Sequence, residues 1–206
     1  MNERPTQWLT VDETKRLIAA PDNRSRQGVR DRCILQTMAE TGMRKGELMA
    51  LNIGSLTSHN GEPVISAITL KRRNGKKVYR TIPISSDLDA LLRRYVRWEH
   101  GNSPCPDLPL FMTMGIHGVS IRQRITARAV DLIVIRYLKM AGIEKRITSH
   151  SLRHTNATRL LECGADVETV RQILGHASLS STQRYVHSTG DRKRQALEKL
   201  GFSDGL

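Results

Sequence analysis

Between His150 and Tyr185 the chain sets out the residue types that phosphate chemistry uses. The stretch reads His150-Ser-Leu-Arg153-His154, then Leu174-Gly175-His176, then Tyr185. Breaking a phosphodiester without a metal requires a nucleophile, cations around the phosphate, and proton donors and acceptors at the attacked and leaving oxygens. A tyrosine hydroxyl can supply the first, an arginine the second and histidines the third. A second cation has a candidate far upstream, Arg44. His150 and Arg153 stand three residues apart, so on a helix they share one side.

The surrounding pattern predicts the elements that hold these groups. Leu152, Ala157, Leu160 and Leu161 form an apolar stripe behind His150 and Arg153, and Gly164 stops that helix. Asp166 caps a second helix through Val170, Ile173 and Leu174, and Gly175 ends it with His176 on the turn. Ser180, Ser181 and Thr182 can cap a third short helix bearing Tyr185.

Upstream, Thr10-Val-Asp-Glu13 is a capping box for a helix to about Ala20, and 21–28 reads as loop. A helix from Val29 to Thr41 buries Cys33, Ile34, Leu35 and Met38 and ends at Gly42. Arg44 then stands before a short helix, Lys45 to Leu51, where Glu47 can hold Arg44 or a nearby histidine.

Residues 63–84 alternate in the manner of strands around Asn74-Gly75, a hairpin turn signal. That hairpin carries Lys71, Arg72, Arg73, Lys76 and Lys77, a basic set suited to phosphates. Ser86-Asp87 caps a helix from Leu88 to His100 with Leu91, Leu92 and Tyr95 inward. Pro104, Pro106 and Pro109 make a loop, Leu110 to Met112 a short apolar strand or turn, and 113–124 a further loop. That last loop ends in Arg122 and Arg124, two more candidate DNA contacts. Thr126 caps a helix ending before Gly142, with Arg128, Arg136 and Lys139 on its outer face. A basic helix closes the chain at 191–200.

His150-x-x-Arg153, the Leu-Gly-His ending at His176, and Tyr185 nine residues later resemble the tyrosine recombinases, the lambda-integrase family. TGMRKGEL at 41–48 looks like that family's first arginine box, with Arg44 and Glu47 in it. The resemblance runs from about Leu9 to about Leu200. It implies an α+β fold, mainly α-helical with a small antiparallel sheet or hairpin, of the kind that breaks and rejoins DNA.

It also implies roles. Tyr185 is the nucleophile, and Arg44 and Arg153 bracket the non-bridging oxygens. His150 shares the tyrosine proton, His176 donates a further hydrogen bond, and Glu47 supports. The general acid is a hairpin lysine; Lys71 has the better interval from Arg44, and Lys76 competes because the turn is long. No metal, cofactor or ATP is implied. The implied partner is double-stranded DNA, with a tetramer on it whose C-terminal tails exchange between protomers. On this reading 1–8 is a stub or linker, 9–190 the catalytic domain and 191–206 a helical tail, with no N-terminal core-binding domain. The chain is then either the catalytic part of a longer recombinase or a short member.

Composition agrees with a nucleic-acid partner. The formal charge is +13 over 206 residues, an excess that suits a polyanion. Aromatics are 4%, too few for a single-strand stacking platform, so duplex backbone is favoured. Cys33, Cys105 and Cys163 form no CxxC pair, and Cys33 and Cys163 read as core residues in a reducing compartment. His150 and His154 have metal-ligand spacing, but no acid or cysteine accompanies them. No signal peptide is visible, and no stretch reaches the roughly 20 apolar residues of a span. A cytoplasmic, nucleoid-associated protein of bacterial or phage origin is expected.

Three other readings compete. A non-catalytic DNA-binding regulator would use Leu160 to Leu174 as a helix-turn-helix. A type IB topoisomerase would share the chemistry and relax DNA. A metal-dependent nuclease would be sensitive to EDTA. The residues do not distinguish integration, excision and inversion.

Overall fold

The computed structural model describes residues 7–69, 78–115 and 120–175. They divide into two compact units, with the boundary between Asn156 and Ala157.

In the first unit, α1 spans Val11–Ala19. Its capping box is formed: the Thr10 hydroxyl accepts from the Glu13 N–H at 3.2 Å, and the Glu13 carboxylate accepts from the Thr10 N–H at 2.7 Å. Helix α2, Arg26–Thr41, starts three residues before the expected Val29. The Ser25 hydroxyl accepts from the Gly28 N–H at 3.0 Å, which draws the glycine into the first turn. A Cβ at Gly28 would lie 2.0 Å from the Asp22 carbonyl oxygen, so no side chain fits there. Gly42 ends α2 as expected, in the left-handed region at φ 58°. Helix α3 follows at Lys45–Ala50.

Three antiparallel strands come next: β1 Leu56–His59, β2 Glu62–Thr69 and β3 Val78–Pro83, in the order β1-β2-β3. The arms of the expected hairpin are β2 and β3, paired from Val64 opposite Pro83 to Thr69 opposite Val78. Strand β1 was not expected. It turns into β2 at Asn60 and Gly61, both at positive φ, so an Asn-Gly pair makes this turn.

Helix α4 spans Ser86–His100, starting two residues before the expected Leu88, and is capped by Ser85. The end of the short strand or turn expected at Leu110 to Met112, and the loop expected at 113–124, contain a two-stranded ribbon, β4 Met112–Met114 and β5 Ser120–Arg124. Strands this short are too brief to show an alternation that sequence could reveal. Thr126 caps α5, Ala127–Met140, as expected.

Leu17, Ile34, Leu35, Leu48, Leu92 and Phe111 are among the residues that form the first unit's continuous apolar core. One polar group runs through its interior. Arg30 donates to Asp31 Oδ1 through Nε and Nη2, at 2.9 and 2.6 Å, and to the Met112 carbonyl at 3.0 Å. The Tyr137 hydroxyl donates to Asp31 Oδ2 at 3.0 Å. These bonds join α2, β4 and α5 where a lone charge would be costly. Burial raises the Asp31 carboxyl above its usual range. Burial and the Asp31 charge push the Tyr137 hydroxyl up to about 12.

Helix α6, Ser149–Glu162, starts in the first unit, and its last turns belong to the second. The expected apolar stripe divides accordingly. Leu152 joins the large core, while Ala157 and Leu161 join Val170 and Leu174 in a small cluster. Helix α7, Val167–Leu174, is capped by Asp166, whose carboxylate accepts from the Thr169 N–H at 2.8 Å, and Gly175 ends it at φ 65°. Cys33 is buried, and burial pushes its thiol up to about 12. Cys163, expected in the core, is exposed beyond the end of α6. Among the described residues, no helix is long and apolar enough to cross a membrane.

Candidate active site

The C-terminal end of α2 is where the two arginine segments meet. A helix ends with four carbonyls that lack an intrahelical donor. Here Met38 O is taken by the Gly42 N–H at 3.0 Å. Ala39 O and Glu40 O accept from the Asn156 amide nitrogen at 2.9 and 2.7 Å. Gly42 O accepts from Arg153 Nη1 at 2.7 Å. Both Asn156 and Arg153 come from α6, more than a hundred residues later. Arg153 is therefore fixed on the backbone two residues before Arg44, with 3% of its surface exposed.

Arg44 occupies the N-cap position of α3. An arginine cannot accept a hydrogen bond, so it cannot cap as a serine does. Glu47 performs the other half of a capping box and accepts from the Arg44 N–H through Oε2 at 2.9 Å. Its Oε1 accepts from Arg44 Nη1 at 3.0 Å. Glu47 is fully buried, whereas the Arg44 side chain is 34% exposed. One edge of the guanidinium is held and part of the side chain meets solvent.

Glu47 has a second cation, which the sequence did not reveal. Arg80 of β3 donates from Nη2 to Glu47 Oε2 at 2.7 Å, with its side chain 12% exposed. Burial pushes the Glu47 carboxyl up, but the Arg44 N–H and the charges of Arg80 and Arg44 outweigh burial, and its pKa lies below the usual range. Arg80 stands opposite Ala67 in the β2–β3 ladder. In sequence it looks like an ordinary strand position, and only the pairing with a residue 33 positions earlier marks it.

His150 lies in the first turn of α6 and is exposed. Thr148 starts that helix, its hydroxyl accepting from the Ser151 N–H at 3.2 Å. Asp131 of α5 links the starts of α3 and α6: Oδ2 accepts from Lys45 Nζ at 2.6 Å and Oδ1 from the Ser149 hydroxyl at 3.4 Å. Lys45 adjoins Arg44 and Ser149 adjoins His150, so Asp131 is a further positioning group that sequence reasoning missed. His154, expected to pack, lies edge-on to Trp8 with ring centroids 5.6 Å apart.

Arg124 was expected to contact DNA, but its guanidinium faces the protein. It donates from Nη1 to Met49 O and Leu51 O, at 2.7 and 2.9 Å, and from Nη2 to Asn52 Oδ1 at 2.6 Å. Met49 O is a carbonyl at the end of α3 that lacks an intrahelical donor, and Leu51 O also accepts from the Leu110 N–H. Arg122 lies in β5. Lys71, Arg72, Arg73, Lys76, Lys77, His176 and Tyr185 lie outside the described residues. Among the described residues, no group of three histidines, cysteines or carboxylates could hold a metal ion.

Chemically, the site gathers two guanidiniums and an imidazole-bearing helix start around one turn of backbone. Guanidinium forks suit the paired oxygens of a phosphate. The family model described as the phage integrase family matches residues 7–192. The chain belongs to the phage integrase family, the tyrosine recombinases. This integrase-family chain is 32% identical over 203 residues to the tyrosine recombinase XerC of Pelotomaculum thermopropionicum, covering 97% of the chain and 63% of that relative. It is 35% identical over 185 residues to XerC of Syntrophus aciditrophicus, covering 86% and 55%. The chain thus spans about three fifths of the length of the curated relatives it matches.

The crystal structure of XerA recombinase superposes with a TM-score of 0.71 at 30% identity, covering 94% of the chain and 65% of XerA. XerH, solved as a post-cleavage complex with palindromic difH substrate, shares the fold with a TM-score of 0.74 at 23% identity, covering 94% and 53%. The expected fold class is therefore the observed one: a mainly helical catalytic-domain fold with small antiparallel sheets.

Proposed function

We propose that this chain carries the catalytic part of a site-specific DNA recombinase that works through a 3′-phosphotyrosyl intermediate. The observation that carries the reading is the bond from Arg153 Nη1 to Gly42 O at 2.7 Å. It brings the second arginine segment onto the turn that presents Arg44, which gives a phosphate two cations from separate parts of the chain.

Tyr185 Oη attacks the scissile phosphorus in line, its proton passing toward His150. The P–O bond to the 5′ oxygen breaks, and that oxygen leaves as a hydroxyl after taking a proton from Lys71, or from Lys76. Arg44 and Arg153 face the non-bridging oxygens, and His176 donates to one of them. Groups aimed at charge that develops in the transition state contribute most when fixed beforehand, and Arg153 is fixed by its backbone bond. The phosphotyrosine keeps the bond energy, so a second 5′-hydroxyl can reverse the step on a new strand. The catalytic domain occupies about 9–190. Double-stranded DNA is the substrate, met by the hairpin cations Arg72, Arg73, Lys76 and Lys77, by the free lysine of the Lys71/Lys76 pair, and by Arg122. Tetramer assembly, exchange of the 191–206 tail and a place in the nucleoid belong to the same proposal.

Covalent capture tests it. The chain is incubated with supercoiled plasmid and EDTA and stopped with detergent. Protein-linked nicked DNA is expected, and Tyr185→Phe abolishes the adduct while leaving DNA binding largely intact. An adduct that persists in Tyr185→Phe refutes the nucleophile. Tight binding to a native site without any adduct refutes catalysis and leaves a regulator.

A further inference from the structure

Between α2 and α4, two arginines share one cleft that the proposed chemistry does not use. Arg32 of α2 and Arg94 of α4 line a cavity of about 400 Å³ together with the side-chain amides of Asn23 and Gln36. Among the described residues neither guanidinium has a hydrogen bond or an ion pair, and Arg32 Nε is also shut off from solvent. A buried N–H without an acceptor is rare in a folded protein. The acids nearest in sequence are engaged elsewhere. Asp31 accepts from Arg30 and Tyr137, Asp89 from Arg93 at 2.7 Å, Asp22 from Arg24 at 3.1 Å, and Glu40 from the Ser85 hydroxyl at 3.0 Å. Helical spacing supplies no substitute: Gly28 and Gln36 stand four residues from Arg32, and Ala90 and Trp98 four from Arg94. Asp87, exposed in the first turn of α4, is the acid on the described lining. Leu91 on the same lining accepts from the buried Cys33 thiol at 3.8 Å, so the wall behind the cations is core. Charge against such a wall acts more strongly than in open water.

We infer that the α2–α4 cleft is an anion site for the phosphate group of a small ligand, inorganic phosphate or a phosphomonoester. Guanidinium forks take phosphate oxygens two at a time. A terminal phosphate carries about −1.5 to −2 charges at pH 7 and three non-bridging oxygens, which two cations and two amides can answer. A phosphodiester of the DNA backbone has a single charge and two such oxygens, and it leaves donors over. The site is also separate from the arginine turn. Arg32 and Thr41, the last residue of α2, lie about 14 Å apart along the helix axis, so one phosphate cannot bridge Arg32 and Arg44.

The test titrates the isotope-labelled full chain with inorganic phosphate at constant ionic strength, set with sodium chloride. It follows the Arg32 Nε–H resonance, assigned through its own side chain. Methyl phosphate and dimethyl phosphate serve as the monoester and the diester. An Nε–H that gains an acceptor shifts and exchanges more slowly with water, so this resonance reports the ligand directly. A saturable shift is expected with inorganic phosphate and with methyl phosphate. Dimethyl phosphate is expected to bind about tenfold more weakly, the loss of one charged hydrogen bond. Arg94→Gln, a change at an exposed position, weakens phosphate by about tenfold or more on the same ground. Arg44→Gln leaves the Arg32 titration unchanged.

No shift, or a shift that sodium chloride alone reproduces, overturns the site. Dimethyl phosphate binding as tightly as inorganic phosphate overturns the small ligand in favour of a second contact to DNA. Displacement of bound phosphate by a short duplex with 5′-hydroxyl ends does the same. Unchanged affinity in Arg94→Gln overturns the shared cleft, and loss of the Arg32 shift in Arg44→Gln places the phosphate at the arginine turn instead. If Arg94→Gln fails to fold, Arg94→Lys decides. It keeps the charge without the fork, so weaker phosphate binding supports the site and equal binding overturns it.

Discussion

Glu47 carries two tasks at once, and its ionisation makes them measurable. It is fully buried, and its carboxylate accepts from Arg44 and Arg80. Taking away one member of a buried ionic group costs about 3–5 kcal/mol, since the remaining charges stay behind without compensation. Arg44 is partly solvated, so Glu47→Ala belongs at the lower end, about 3 kcal/mol, read by urea unfolding at pH 7. The acid side gives a second reading. The folded pKa of Glu47 lies below its ordinary 4.5. A depressed carboxylate contributes stability that is fully present above the unfolded value and is lost as pH falls through the folded one. Asp31 runs the other way, because burial raises it and protonation favours its folded form. Glu47→Gln should therefore unfold with a shallower acid limb below pH 4.5 than wild type. Parallel acid limbs for the two proteins would show that the carboxylate is not ionically held.

At the level of elements, α6 is anchored on the end of α2 by side chains that satisfy backbone carbonyls. Asn156→Leu keeps the volume and removes the donor to Ala39 O and Glu40 O. A buried acceptor left without its partner costs about 1–3 kcal/mol. The variant should lose stability in that range and also cleave more slowly, because Arg153 sits one turn earlier on the same helix. Stability lost with the cleavage rate unchanged would separate the anchor from the chemistry. How much of this could be read beforehand follows from the range of the interactions. The capping box at Thr10, the stop at Gly42, the cap at Asp166 and the arms of the β2–β3 hairpin are local, and their residues announce them. Asn156 to α2, Arg80 to Glu47 and Asp131 to Lys45 join residues 117, 33 and 86 positions apart, and no local pattern encodes such bonds. Arg124 shows the converse. Its charge and its basic neighbours suggested DNA, while its place at the end of β5 lets it donate to Met49 O and Leu51 O. Of the β4–β5 ribbon only the apolar stretch ending at Met112 was legible, because the rest is made by pairing, not by its own alternation.

For the whole molecule the leading quantity is charge. A formal +13 on 206 residues, with five cations between Lys71 and Lys77, makes DNA association depend steeply on salt. Each phosphate neutralised on duplex DNA contributes about −0.9 to the slope of log K against log salt. Alanine at Arg72, Arg73 or Lys77 should therefore lower the slope by about 1 each, alike on every sequence, and change the saturated cleavage rate little. The general acid behaves differently. Its loss slows cleavage even at saturating protein, because the 5′ oxygen must leave with a proton. A sulfur in that position leaves as a thiolate, whose conjugate acid has a pKa near about 8.5, and needs no such donor. Lys71→Ala and Lys76→Ala are thus told apart by one pair of rates. The true acid variant is slow on the phosphodiester and close to wild type on the phosphorothiolate. The other lysine changes only the salt slope. If sulfur restores neither variant while both cleave slowly, the proton comes from outside the hairpin, and the hairpin's charge serves binding alone.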